Sequence, residues 1–233
     1  MSLWNLRRLC VLTLLLFLSI ALLDAGGLDL PMARLFGDAR GFAWRGHHAF
    51  TVLTHEWPRY ACGAVIAALV LGIFRPWGFL ACLAPAQRWQ LVLSIACAML
   101  AVAAFKRINA TSCPWDLAEF GGVAPYVSHW LWGVRDLGPG HCFPAGHASA
   151  GFGFVAGWFV LRRAAPDVAG AWLALSLAAG LALGWAQQMR GAHFMSHTLW
   201  TAWTCWAVGL GWDAAVHWHA RRKLVPDTKL NET

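Results

Sequence analysis

Six apolar stretches recur along the chain, at residues 9–24, 60–74, 90–105, 147–161, 169–186 and 194–216. Each is bounded by short polar segments. Crossing a hydrocarbon layer of about 30 Å takes about 20 helical residues, so the ends of these stretches should extend into their flanks. Inside a bilayer, backbone N–H and C=O groups must be satisfied within the segment itself, which favours helices. The expected fold is therefore all-α: a polytopic membrane protein with six transmembrane helices, forming one domain over residues 1–233.

Composition supports a membrane class. The chain is 59% hydrophobic and only 12% charged, against about 25% charged in soluble domains. Its sixteen Trp suit the two membrane interfaces, where the ring is buried and the indole N–H stays wet. Trp115, Trp130 and Trp132 are read as such anchors. The net charge of +7 comes from short basic groups scattered between spans. That pattern argues against nucleic-acid binding, and it requires no obligate protein partner.

The basic groups also orient the chain. Arg7 and Arg8 precede the first stretch, and Arg75 and Arg88 bracket the second loop. Arg162 and Arg163 follow the fourth stretch, and Arg221, Arg222 and Lys223 follow the sixth. With six spans, all fall on one side, which the positive-inside rule makes cytoplasmic, together with both termini. The first stretch resembles a signal peptide, but LLDAGGLDL after it lacks an A-x-A cleavage site, so it is read as a retained helix. Residues 26–59 are expected along the outer interface as one or two short helices, and the tail from Leu224 to Thr233 is expected to fray.

The opposite face then collects three polar blocks: KRINATSCPWD at 106–116, FPAGHAS at 143–149, and a third at 187–201 that begins QQMRGAHFMSHT. Ionisable groups at membrane depth are costly and usually serve chemistry. Arg190, His193 and His197 are spaced to share one helical face. Gly146 before His147 lets backbone N–H groups approach an anion, and a helix beginning there would favour negative charge. Lys106 and Arg107 close the third stretch. Together these groups suit phosphoryl transfer, with cations on the phosphoryl oxygens, one imidazole to attack and another to protonate the leaving oxygen. His193 and His197 with His147 could instead be metal ligands. His55 and Arg59, just before the second stretch, are within possible reach of the site, and Asp116 is a candidate ion-pair partner for Arg107 or Lys106.

The blocks resemble the type 2 phosphatidic acid phosphatase superfamily, which also includes the vanadium haloperoxidases. Its signature runs Lys-x6-Arg-Pro, Pro-Ser-Gly-His and Ser-Arg-x5-His-x3-Asp. Lys106 and Pro114 fit the first motif, with Cys113 at the Arg position. Ala145 stands where the second has Ser. In the third, Gly191 and His193 align with the Gly and nucleophilic His. His197 then falls at the orienting Asp and Gln187 at the Arg, while Arg190 lies one helical turn away and can supply that charge. A rival register makes His197 the nucleophile, at the cost of stranding Gly191.

The resemblance implies an integral membrane lipid phosphatase that needs no cofactor or metal. His193 would form a phosphohistidine, and His147 would act as acid and then base, with His197 supporting His193. Lys106, Arg190, Arg107 and the Gly146 backbone would bind phosphate. The partner is a phosphorylated lipid in the bilayer, such as a phosphatidate, a polyprenyl diphosphate or a lipid A phosphate. The setting would be a bacterial inner membrane with a periplasmic site. Alternatives in the same scaffold are a lipid-to-lipid phosphotransferase, for example acting on lipid A, and a non-catalytic lipid-binding or transport protein. Cys113 and Cys142 both fall on the outer face, where an oxidising compartment favours a disulfide, and each adjoins a block.

Overall fold

A computed structural model describes residues 3–224, with side chains at most of them. The expected polar tail at 225–233 lies outside the described residues. The fold is almost wholly helical. The long helices are α1 (Leu3–Ala25), α4 (Trp57–Phe74), α5 (Pro85–Ile108), α8 (Pro166–Met189) and α9 (Met195–Leu224). Between α5 and α8, a single turn α6 (Ser149–Phe152) leads into α7 (Val155–Ala164). Pro85 and Pro166 open their helices at positions where a missing N–H costs nothing.

Four segments are long and apolar enough to cross a membrane: Leu6–Ala25, His48–Cys82, Pro85–Ile108 and Pro166–Met189. They contain four of the six expected stretches, extended at their ends. The other two differ for physical reasons. The 147–161 stretch is broken into α6 and α7, with His147 in the turn before α6. Helix α9 packs on α5, α7, α1, α8 and α6 at the centre of the bundle. It buries Ser196, His197, Thr198, Thr201, Thr204 and Asp213 against protein, so its hydropathy need not match that of a lipid-facing helix.

Residues 26–59 depart from the expectation of interfacial helices alone. A short α2 (Asp29–Ala33) is followed by a two-stranded turn, β1 (Gly37–Asp38) and β2 (Gly41–Phe42). Then α3 (His48–Thr51) runs through a π-turn at Val52–Glu56 directly into α4. His55 and Arg59 are thus on the second long helical segment itself. Leu14, Leu15, Leu18 and Leu22 of α1 are exposed, as a lipid-facing surface would be, while Trp203 and Trp206 of α9 donate to Thr13 on its other side.

The two ends of the bundle differ in chemistry. At one end Asp213 of α9, fully buried, takes Arg162 and Arg163 of α7 and is 3.4 Å from Gln90 of α5. The other end is capped by residues 109–148 and 26–47. There Phe42, Leu117, Phe120, Ala124 and Phe194 form an apolar cluster over the start of α9. All three polar blocks lie at this capped end.

Candidate active site

Backbone and side-chain hydrogen bonds join the three blocks to one another. Asn109, the buried C-cap of α5, accepts on Oδ1 from Thr111 N (3.2 Å), Thr111 Oγ1 (2.9 Å) and Phe143 N (3.1 Å). Cys142 N donates to Thr111 O, and Cys113 and Cys142 form a disulfide with Cα atoms 5.1 Å apart. Trp115 N donates to Gly191 O at 2.9 Å, which ties the first block to the third. Ala145 N donates to His197 O, and Thr201 Oγ1 donates to Ala145 O, which ties the second to α9. Gly191 has φ +73°, and an added Cβ would stand 2.3 Å from the Phe42 ring, so only glycine fits this turn.

Side chains converge on this frame. Ring centroids of His193 and His147 are 6.2 Å apart, and those of His193 and His197 are 6.0 Å apart. The stem of Lys106 runs against the backbone of Gly146, its Cδ 3.4 Å from where a Cβ would be. Arg190 is buried and donates to Gln187 Oε1 at 3.1 Å, while Gln187 Nε2 donates to Thr54 O at 3.2 Å. Residues 187 and 190 thus share one polar contact across a helical turn. Arg107, about 100° further round α5 than Lys106, is exposed and is not brought into the cluster. The helix after His147 is one turn long, so the cations, and not a helix dipole, carry the positive potential here.

Three buried polar atoms of these side chains, Arg190 Nε, His147 Nδ1 and His197 Nδ1, have no hydrogen-bond partner among the described residues. Buried donors and acceptors are normally satisfied, so such atoms mark places for a ligand. His147 also meets His55, with ring centroids 4.2 Å apart. His55 sits on the π-turn, a local widening common at functional sites. His55, Arg59, His147, Gly146 and Ser149 line a cavity of about 390 Å³. An almost wholly apolar groove of about 450 Å³ adjoins it, sharing Pro58, Cys62 and Ala150, and runs between α4, α6 and α8.

Electrostatics set the protonation states. Burial first, then His55, Lys106, Arg190 and Arg59, push His147 down to about 3. Burial, Lys106 and the neighbouring imidazoles hold His193 well below the usual range, against the Cys142 carbonyl that favours its N–H. A neutral imidazole is what a nucleophile requires. An arriving phosphate would add the negative charge that lets His147 take a proton.

Several neighbours carry no motif signal. Trp115 is more than an anchor: its ring lies under Arg45 and near Arg190, at 4.8 and 5.9 Å. Asp116 faces Arg45 and not Lys106 or Arg107. His129 stacks on Phe143 and meets His197 edge-on, with ring centroids 4.0 and 5.1 Å apart. Asp24 and Asp29, from the end of α1 and from α2, approach the same imidazoles. Asp24 in LLDAGG was the one available signal, a carboxylate closing an apolar run.

Comparison with curated proteins and with solved structures yields no significant match. A family model described as the PAP2 superfamily matches residues 87–223, from the start of α5 to the end of α9. That match includes all three blocks and covers more than half of the chain. By this match, and with its blocks gathered at one end of a helical membrane bundle, the chain belongs to the PAP2 superfamily.

Proposed function

We propose that this protein is an integral membrane lipid phosphatase working through a phosphohistidine at the non-cytoplasmic face. The observation that carries the reading is the convergence of His193 and His147 with Lys106 and Arg190, where Arg190 Nε and His147 Nδ1 have no partner among the described residues. The adjoining apolar groove supports a lipid: a hydrocarbon chain occupies the groove while its phosphate reaches His147.

In this mechanism His193 attacks phosphorus, and a P–N bond forms as the ester P–O bond breaks. His147 gives its proton to the leaving oxygen. Water, deprotonated by the same His147, then cleaves the P–N bond and releases phosphate. Lys106 and Arg190 neutralise the phosphoryl oxygens in both steps, stabilisation worth several kcal/mol in a water-poor site. Arg59 adds a cation, and His55 an imidazole, toward a second phosphate or a headgroup.

The topology belongs to the same proposal. Six helical crossings, with α6–α7 and α9 completing the four apolar spans, place Arg75, Arg88, Arg162 and Arg163 on one side and the site on the other. Positive-inside bias makes the site side periplasmic in a bacterial inner membrane. The test is phosphate release by purified full-length protein from phosphatidate, polyprenyl diphosphate and lipid A, with excess chelator and no added metal. Release from at least one, with acid-labile phosphate on His193, supports the reading. Phosphate passed to a second lipid without release would make it a phosphotransferase. Binding without either outcome would sink the enzymatic reading.

A further inference from the structure

Beside His197, whose ring centroid is 6.0 Å from that of His193, lies a buried group of two carboxylates and two imidazoles that the mechanism above does not use. Asp24 Oδ2 accepts from Trp130 Nε1 (2.9 Å) and Trp200 Nε1 (2.8 Å), and it stands 3.0 Å from His129 Nε2. Asp29 accepts from Ser196 N at 3.1 Å and from Ser196 Oγ. One oxygen of Asp29 and one ring nitrogen each of His129 and His197 lie within 4.8 Å of one another. His197, 2% exposed, has an Nδ1 with no hydrogen-bond partner among the described residues. The Cys142 carbonyl faces both His197 and His193, linking this group to the nucleophile.

Two buried carboxylates carry a large desolvation cost unless cationic or hydrogen-bonding groups answer them. Here the answering groups are indoles, a serine and imidazoles: they hold the Asp24 carboxyl below its ordinary range, while burial pushes that of Asp29 up. Asp24 acts on His197, whose ring centroid is 6.0 Å from that of His193.

We propose that Asp24 and Asp29, acting through His129 and His197, form a charge network that positions His193 and offsets the positive charge it gains on attacking phosphorus. This rests on the phosphohistidine reading above. His193 keeps its second N–H when the P–N bond forms, so no proton need leave the site. The network supplies compensating charge, and its members are positioning residues. Its carboxylates come from α1 and α2, outside the segment 87–223 that defines the family match. The first helix and the short α2 after it thus become part of the active site. The titratable groups facing the network are Asp24 of α1, Asp29 of α2, Lys106 of α5, Tyr126 and His129 of the capping segment, and His193 and His197 at the start of α9.

The test uses full-length protein in micelles, labelled with [15N]histidine, as wild type, D24N, D29N, D24E and H129Q. Asn keeps an acceptor for the indoles and the serine but removes the charge. The expected result is a change in the His193 ring-nitrogen frequencies in D24N and D29N at unchanged thermal stability, partly restored in D24E. With a turned-over lipid phosphate, kcat falls about 10²-fold with KM within threefold. Unchanged His193 frequencies in folded D24N and D29N overturn the proposal, whether or not a substrate has been found. So does one equivalent of a transition metal in wild type that is lost in H129Q, which would make the cluster a metal site. Failure of every lipid phosphate to turn over, with the His193 frequencies still coupled to Asp29, removes the lipid reading and leaves the network standing.

Discussion

The Nδ1 of His193 lies 3.6 Å from the Sγ of Cys142, and Cys142 is covalently tied to Cys113 in the first block. One disulfide therefore ties the residue beside His193 to the block that carries Lys106. Family members with Arg at the position of Cys113 would have a cation there. Here a covalent clasp occupies it.

Reduction, or Cys113→Ser, is expected to lower stability by about 3–4 kcal/mol, the loop-closure value for a separation of this size. Activity should fall as well, because the Cys142 carbonyl that faces His193 and His197 is released. Thermal unfolding in micelles with and without reductant, paired with thiol counting by mass spectrometry, checks both. Two alkylatable thiols in fully active protein would refute the clasp.

His193→Ala and His147→Ala are each expected to abolish turnover in folded protein. Phosphopeptide mapping under alkaline conditions should place the trapped phosphate on His193. Phosphate on His197 would mean that the register is wrong by one helical turn.

Arg190→Ala should cost about 10²–10³ in kcat, the scale for losing a preorganised donor to developing charge. Gln187→Ala removes only the group that holds Arg190 and anchors it to Thr54, so a loss of about tenfold is expected. Equal, small losses in kinetic assays would show that neither side chain meets the phosphate.

A stability slope with pH follows from His147. Its folded value, about 3, lies below the unfolded value of about 6.5. Below pH 6.5 the unfolded chain binds a proton that the folded chain refuses, so stability is lost as pH falls from 6.5 toward 3. At pH 5 this amounts to about 2 kcal/mol from this group. Chemical denaturation at pH 7 and pH 5 should show a smaller slope in His147→Ala, and inorganic phosphate should flatten the wild-type slope. An unaltered slope in the variant would remove His147 from the buried cluster.

Gly180→Ala offers a test by sign. In an ordinary helix interior this change stabilises by roughly 1 kcal/mol. On α8 the new Cβ would stand 2.3 Å from the buried Phe152 ring, so a loss of about 1–3 kcal/mol is expected instead. A raised melting temperature would mean that α6 and α8 are not packed this closely.

The helical membrane class, the three blocks and the Cys113–Cys142 pairing were legible in the amino-acid sequence. Long apolar runs have few ways to satisfy their backbone in lipid, and glycine, histidine and cysteine at fixed spacings carry local chemical meaning. The sequence placed Arg107 by adjacency to Lys106, but neighbouring helical residues point in different directions, and only Lys106 reaches Gly146. Helix α9 was read from the sequence as one more span, but its central place, buried among other helices that relax its hydropathy, was not legible there. Packing brought His55 onto His147 and gathered Asp24, Asp29 and His129 beside His197, next to His193. Those last three lie from 64 to 169 positions from His193. No local pattern records such separations; they arise when α1, α4 and the capping segment pack against the start of α9.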